Sequence, residues 1–210
     1  MKVLVACEES QEVCKAFRAR GHEAYSCDLI EPSGGHPEWH ILGDALKALT
    51  GGQVVTMDGV THDIGKWDLL IAHPPCTYLS NDGARFLYPK GVLNEQRLRK
   101  GLMAKDFFLQ FLWADIPKIA VENPIPSSVY CLPKYTQTIQ PYQFGHPFKK
   151  KTCLWLKGLP ELEPTDEIPL EQCESTKVDG NWFNHGGKDR QENRAKTFPG
   201  IAKAMAEQWG

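Results

Sequence analysis

The stretch Lys2-Val3-Leu4-Val5-Ala6-Cys7-Glu8-Glu9-Ser10-Gln11, continued by a polar-apolar run to Glu23-Ala24-Tyr25-Ser26-Cys27-Asp28, decides the fold. Its first five residues form an apolar, β-branched run, the pattern of a strand buried on both faces of a parallel sheet. Residues 10–20 follow with Val13, Cys14, Ala16 and Phe17 at helical spacing, and Gly21 supplies the stop. Residues 23–27 read as a second strand ending on Asp28. A β-α-β unit with an acid at the tip of its second strand opens many nucleotide-type cofactor folds, where that carboxylate holds ribose hydroxyls.

Working outward, residues 31–37 are turn-rich, and Trp39 to Leu42 with Gly43-Asp44 reads as a third strand and its tip. A short helix is expected over 45–49. Lys66-Trp67-Asp68-Leu69-Leu70-Ile71-Ala72 is the strongest strand signal in the chain, and it runs directly into His73-Pro74-Pro75-Cys76. A loop rich in Asn, Asp and Gly leads to a long helix over 93–114. Ile119-Ala120-Val121 is another buried strand, delivering Glu122-Asn123-Pro124. Residues 140–152 are polar, aromatic and basic, 153–156 form a strand, 158–193 are loop-like, and 201–209 resemble a closing helix. The alternation predicts an α/β fold with a doubly wound, mostly parallel, Rossmann-like sheet. Sites in such sheets lie at the carboxyl ends of strands, which makes Asp28, Asp44, Cys76 and Glu122 one candidate constellation.

The 210 residues suit a single domain, and hydrophobic and charged shares of 41% and 24% are those of an ordinary globular chain. No apolar run is long enough to span a bilayer, and the start lacks a signal-peptide layout, so a soluble cytoplasmic chain is expected. The net charge of −2 does not advertise a nucleic-acid binder, although Lys149-Lys150-Lys151 concentrates positive charge locally. The seven cysteines contain no Cys-x-x-Cys pair. Zinc ribbons and thioredoxin chemistry are therefore unsupported, free thiols are expected, and no metal site is expected.

Two elements carry chemistry. In His73-Pro74-Pro75-Cys76 the prolines fix the backbone as it leaves a strand, giving the cysteine side chain a set direction. A thiolate so held can add to an electron-poor carbon. A packing cysteine after a turn is the plainer alternative for a Pro-Pro-Cys taken alone. Glu122 at a buried strand end can serve as an acid when burial raises its pKa, and a capping or surface acid is its plainer alternative. The combination of strand-end cysteine, long helix and strand-end glutamate is more telling than either part.

That order resembles the DNA cytosine-5 methyltransferases over nearly the whole chain. In that family the nucleophile follows a Pro-Cys pair at the end of the fourth strand, as in Pro75-Cys76, with a serine a few residues on, matched by Ser80. Its Glu-Asn strand end is reproduced by Glu122-Asn123. Tyr25-Ser26-Cys27-Asp28-Leu29 resembles the strand tip that binds the cofactor ribose, and Gly43-Asp44-Ala45 is similar to the Gly-Asp-Ile segment that meets the adenine. Phe144-Gly145-His146-Pro147 resembles the family's Tyr-Gly-x-Pro, which precedes a basic Gln-x-Arg-x-Arg. Thr197-Phe198-Pro199 looks like the closing motif beside the cofactor.

The resemblance implies an S-adenosylmethionine-dependent enzyme of compact phage or bacterial type, acting on DNA and flipping its target base; the sequence leaves the oligomeric state open, and a monomer is assumed. It implies Cys76 and Glu122 as catalytic residues. It also implies a cofactor site from Ala6, Cys7, Glu8, Gln11, Asp28, Leu29, Asp44, Ala45, Pro74 and Phe198. DNA contacts would come from Ser80, Asn123, Lys149, Lys150 and Thr152.

The chain departs from the pattern in three places. The family's glycine-rich Phe-x-Gly-x-Gly-Gly loop is replaced by Ala6-Cys7-Glu8-Glu9-Ser10-Gln11, whose side chains demand a moved cofactor or a wider loop. Lys150 and Thr152 stand where arginines are usual, so a bidentate fork and one charge are lost. Only residues 158–194 remain for target recognition, with 181–194 the polar-aromatic candidate, which predicts a short or degenerate target. An amino-methyltransferase would carry Asp- or Asn-Pro-Pro-aromatic, which His73 and Cys76 do not match. The same chemistry on single-stranded nucleic acid or a free cytosine nucleotide remains an alternative, as does a non-catalytic DNA-binding relative.

Overall fold

A computed structural model describes residues 1–175 and 196–210. Its centre is a seven-stranded sheet built on β1 (Lys2–Ala6), β2 (Glu23–Asp28), β3 (His40–Leu42), β6 (Leu69–Ala72), β7 (Lys118–Pro124), β10 (Thr152–Lys157) and β8 (Gln137–Ile139). The order across the sheet is β3-β2-β1-β6-β7-β10-β8. Strands β3, β2, β1, β6 and β7 run parallel, while β10 is antiparallel to both of its neighbours. The fold is the doubly wound, Rossmann-like α/β class expected from the sequence.

Strict alternation along each strand divides the core in two. Val3, Val5, Leu69, Ile71, Ala120 and Leu154 pack on one face, with Phe17 and Trp209. Leu4, Ala6, Leu70, Ala72, Val121 and Trp155 pack on the other, with Phe108 and Phe111. Both sides of the central strands are thus dry, which is why they read as unbroken apolar runs. The first face is covered by α1 (Glu12–Ala19) and the closing helix α5 (Pro199–Trp209), which touch each other. The second is covered by α4 (Glu95–Leu112), α2 (Ala45–Ala48) and an antiparallel hairpin of β4 (Gly52–Val55) and β5 (Thr61–Gly65).

Helix α1 ends as its sequence dictates. Gly21 takes φ 82°, its N–H donates to Arg18 O at 2.9 Å, and His22 N–H donates to Phe17 O at 3.1 Å. This pair of bonds closes the helix on a left-handed residue that glycine adopts without a steric penalty. Its start differs from expectation by two residues: Gln11 stands outside the helix in a left-handed conformation.

The hairpin over 52–65 and the short β8 carry no strand signal strong enough for sequence reading. The loop-like stretch after Gly158 is anchored in part: Leu162 is buried and Gln137 makes two hydrogen bonds with its backbone. Further on, β11 (Glu174–Ser175) pairs in parallel with β9 (Phe148–Lys149). The recognition loop expected over 181–194 lies outside the described residues. Among the described residues no helix is long and apolar enough to cross a membrane.

Candidate functional site

The carboxyl edge of the parallel strands carries two groups of polar side chains, joined by the loops after β1 and β6. At one end stand Cys7, Cys27, Asp28 and Asp44. Cys7 N–H donates to Cys27 O at 2.8 Å, and Gly43 N–H donates to Asp28 O at 2.8 Å, so the ends of β1, β2 and β3 are tied together. Burial, with Asp28, Cys27 and Asp44 nearby, pushes the Cys7 thiol up. The Cys27 thiol is pushed up to about 12 by burial and by the same two carboxylates.

Asp28 is half-buried, and one of its oxygens accepts from Leu29 N–H at 2.7 Å and Ile30 N–H at 3.4 Å. Burial raises its carboxyl above the usual range against those two bonds. Asp44 caps α2 by accepting from Leu46 N–H at 3.0 Å. Leu29 and Ile30 are left exposed beside Asp28, and Leu42 is exposed beside Asp44. Ala45 is buried under the cap.

In the loop after β1 the backbone is strained at two residues that are not glycine. Cys7 and Gln11 have φ of 58° and 59°, a region that L side chains enter at a penalty of roughly 1–3 kcal/mol each. The loop is held by its own side chains. Glu8, 4% exposed, accepts from Val13 N–H at 2.6 Å and Cys14 N–H at 3.2 Å, satisfying two of the open donors at the start of α1. Gln11 is fully buried; its amide donates to Ser26 and to His36 O and accepts from His36 N–H. Neither side chain is offered outward, and Ala6 is buried in the sheet.

At the other end are His73, Glu122, Lys150, Thr152 and Phe198. His73 continues the backbone of β6, its N–H donating to Ala6 O at 2.9 Å. The His73 Nδ1 lies 3.0 Å from Glu122 Oε2, with side chains 9% and 20% exposed. The sequence expectation of a glutamate raised by burial is corrected here. Burial does push the Glu122 carboxyl up, but the hydrogen bond and charge of His73, with Lys150, outweigh it and hold it below its ordinary value. For His73 burial works toward the neutral form, and Glu122 and Glu8 overcome it, leaving the imidazole raised.

Lys150 and Thr152 line a small cavity with His73, Glu122, Lys196, Phe198, Ile201 and Met205. Lys150 Nζ sits 5.8 Å above the Phe198 ring. Phe198 itself is 6% exposed and is tilted against His146. Lys149 is exposed on β9.

Cys76 is partly exposed on the segment between these groups, and Pro74 before it is buried. That segment is zipped to the chain after Glu122: Ser127 N–H donates to Leu79 O and Asn81 N–H to Ile125 O, both at 2.8 Å, around a Ser80–Pro126 bridge. The Cys76 loop and the Glu122 strand end are therefore side by side. Ser80 is buried, and its hydroxyl caps α3 (Asn81–Ala84) by accepting from Gly83 N–H. Asn123 is 1% exposed and alternates to the sheet face opposite Glu122, its amide donating to Pro124 O. The side chains of Ser80 and Asn123 are thus committed inside the protein.

Sequence reading missed two residues here. His73 passed as the start of a proline turn, although a histidine flush with an apolar strand end is itself a signal. Arg97 carries no sequence signal beyond its place in the long helix. Its guanidinium donates to Thr77 O at 3.1 Å and Gly83 O at 3.0 Å and lies over the rings of Tyr78 and Phe86, tying the Cys76 loop to α4. Beside it, Tyr78, Phe86, Pro89, Asn94, Arg97 and Lys100 line a cleft of about 350 Å³. Among the described residues no group of three or more His, Cys, Asp or Glu is arranged to hold a metal ion.

No family model and no curated protein matches the chain. Among solved structures it resembles an E. coli prophage-encoded protein described as a DNA modification methyltransferase, at 10% identity and TM-score 0.43, over 80% of this chain and 52% of that one. It resembles Entamoeba histolytica methyltransferase EhMeth at 11% identity and TM-score 0.44, over 80% and 57%. The S. pombe Dnmt2 methyltransferase follows at 11% identity and TM-score 0.38, over 77% and 50%. The chain spans about half the length of these structures.

Proposed function

We infer that the chain transfers a methyl group from S-adenosylmethionine to carbon 5 of cytosine in DNA, with Cys76 as nucleophile and Glu122 as the carboxyl that holds the ring. The observation that carries this reading is the zipper between residues 79–81 and 125–127, which sets the partly exposed Cys76 loop against the end of the Glu122 strand.

The donor set suits the cofactor. Asp28 spends one oxygen on its own turn, leaving the other as an acceptor for ribose hydroxyls, and exposed Leu29, Ile30 and Leu42 offer apolar surface to an adenine ring. Asp44 and Cys7 stand beside Asp28 at that edge, with Ala45 buried behind Asp44. Glu8 and Gln11 act by shaping the loop from within. Phe198 belongs to the Glu122 end, as a wall beside Lys150. When bound, S-adenosylmethionine supplies the electrophilic methyl group that carbon 5 takes up.

The work of the residues follows from cytosine chemistry. Carbon 5 is a poor nucleophile while the ring is aromatic. Addition of the Cys76 thiolate at carbon 6 breaks that conjugation. Glu122 orients the ring through nitrogen 3 and the amino group and handles the proton there. Loss of the carbon-5 proton and departure of Cys76 restore the aromatic ring. Lys150 adds positive charge beside Glu122 without the fork of an arginine. Lys149, on the exposed side of β9, suits a phosphate contact.

Favouring a substrate with unpaired bases is the cleft beside the Cys76 loop. Tyr78 and Phe86 give stacking faces, and Arg97 and Lys100 give charge. The deciding experiment supplies labelled cofactor with duplex DNA, single-stranded DNA or cytosine nucleotides, and digests each product to nucleosides. Label in 5-methylcytosine supports the reading, and the preferred substrate resolves the alternatives. Label in an amino-methylated base, or none in any product, refutes it.

A further inference from the structure

His73 has no counterpart among the roles given to the site so far, yet it is the residue most tightly coupled to Glu122. His73 stands at the end of β6, its backbone N–H bonded to Ala6 O, and Pro74-Pro75 follow it. Nδ1 meets Glu122 Oε2 at 3.0 Å, while Nε2 is buried and has no hydrogen-bond partner among the described residues. Among the described residues, the titratable groups facing the pair are Glu8 from the loop after β1, Cys153 from β10, Lys150 from the segment before β10, and Lys196 from the approach to α5.

We propose that His73 is a positioning residue that stores, next to Glu122, the proton that Glu122 must carry to ring nitrogen 3. The proposal rests on the assignment of Glu122 as the ring-holding carboxyl. An ionised carboxylate only accepts hydrogen bonds and has no proton to give. Burial alone would keep Glu122 neutral and ready to donate, but the charges of His73 and Lys150 keep it ionised, so the proton of the pair resides on the imidazole. With Nε2 unpartnered, no second hydrogen bond competes with Glu122 for the orientation of the ring.

The electrons and protons balance. The thiolate pair of Cys76 becomes the bond to carbon 6, the C5–C6 π pair moves to C4–C5, and the C4–N3 π pair moves onto nitrogen 3. Nitrogen 3 takes a proton from Glu122, which takes one from His73 Nδ1. The imidazole ends neutral and the carboxylate ends as it began. Once carbon 5 has taken up the methyl group with the C4–C5 pair, the methyl–sulfur pair would stay on the donor and C4=N3 reform. The carbon-5 proton then leaves to solvent, its C–H pair becomes C5=C6 as the thiolate departs with the C–S pair, and the proton on nitrogen 3 returns through Glu122 to His73. The buried pair thus keeps the acid near the ring without leaving a neutral glutamate in the resting site.

Isotope-labelled histidine NMR on the ligand-free full chain, with kcat against pH for methyl transfer to cytosine, tests this directly. In the unsubstituted protein His73 is expected to stay protonated above its ordinary 6.5, and to lose that proton at lower pH in Glu122→Gln. His73→Asn keeps a neutral donor near the place of Nδ1 but cannot store a proton. Its rate near pH 8 is expected to fall about tenfold, and its alkaline limb to move toward acid by about one pH unit. KM for the cofactor should stay unchanged in the same variant. His73→Phe, lacking donor and proton, should be slower than His73→Asn at every pH. A His73→Asn profile superimposable on the unsubstituted one, or a His73 that titrates below 6.5, overturns the proposal while methyl transfer itself stands. Protonated His73 in a chain that methylates no cytosine substrate overturns the assigned function, and the proton store with it.

Discussion

Replacing Glu8 by Gln should change the pH dependence of stability more than stability itself. Glu8 is 4% exposed and accepts two backbone N–H bonds at the start of α1. Burial, with Glu12, pushes its carboxyl from 4.5 up to about 7, against the pull of His73 and of the two N–H groups. A displacement of that size corresponds to about 3 kcal/mol. The sign follows from proton binding. The folded state holds the Glu8 proton more tightly than the unfolded chain. Its contribution is therefore complete below pH 4.5 and is lost as pH rises toward 7.

Glu8→Gln is neutral throughout. It keeps an acceptor for Val13 N–H and loses one for Cys14 N–H, a change costing about 1 kcal/mol. The variant should be less stable than the unsubstituted protein by about 1 kcal/mol at low pH and more stable by about 2 kcal/mol above pH 7. Urea unfolding of both proteins between pH 4.5 and pH 8 measures the difference, and repeating it in a His73→Asn background removes the imidazole's share. A difference that stays flat across this range refutes the reasoning.

Three further outcomes are expected. Gly101→Ala gains helix propensity of up to about 1 kcal/mol, but its Cβ would run into the Tyr130 ring, so a net loss of about 1–2 kcal/mol is expected in urea unfolding, and a gain would contradict the packing. Arg97→Ala removes the bonds to Thr77 O and Gly83 O, so amide exchange should speed up about tenfold across residues 77–86 and little elsewhere; unchanged exchange there would show that the loop is held by other contacts. Asp28→Asn preserves the acceptor of its turn while removing the charge, so calorimetry should give a cofactor Kd raised about tenfold with no fall in Tm, and unchanged affinity would remove Asp28 from the cofactor edge.

Much of the frame was legible in the sequence because the central strands are buried on both faces. β1, β6 and β7 announce themselves as apolar runs, and the residues that follow each run were read as the edge of the sheet. The β4–β5 hairpin lies outside the main sheet with Gln53, Val55, Thr61 and Asp63 exposed, so polar and apolar residues mix without a decisive period. Strand β8 is three residues long and gains its place only by pairing with β10.

The candidate residues could be picked out in the sequence, but the orientation of their side chains could not. Asp28, Asp44, Cys76 and Glu122 lie along one edge, yet sequence cannot tell an outward carboxylate from one that closes a helix. Glu8 and Gln11 turned inward because a loop without glycines needs side-chain bonds to hold its left-handed residues. Ser80 and Asn123 were drawn in by a cap and by strand alternation. His73 and Glu122 are 49 positions apart, so their pairing exists only once β6 and β7 are adjacent.

The central claim is that Cys76 adds to the cytosine ring. An oligonucleotide carrying 5-fluorocytosine, incubated with the chain and S-adenosylmethionine, tests it most directly, because fluorine on carbon 5 cannot leave as a proton does. The account predicts a stable adduct of chain and oligonucleotide, mapped by mass spectrometry to the peptide containing Cys76 and absent in a folded Cys76→Ser variant. An adduct of undiminished yield in Cys76→Ser, or methylation of ordinary cytosine with no adduct on the fluorinated base, would contradict it.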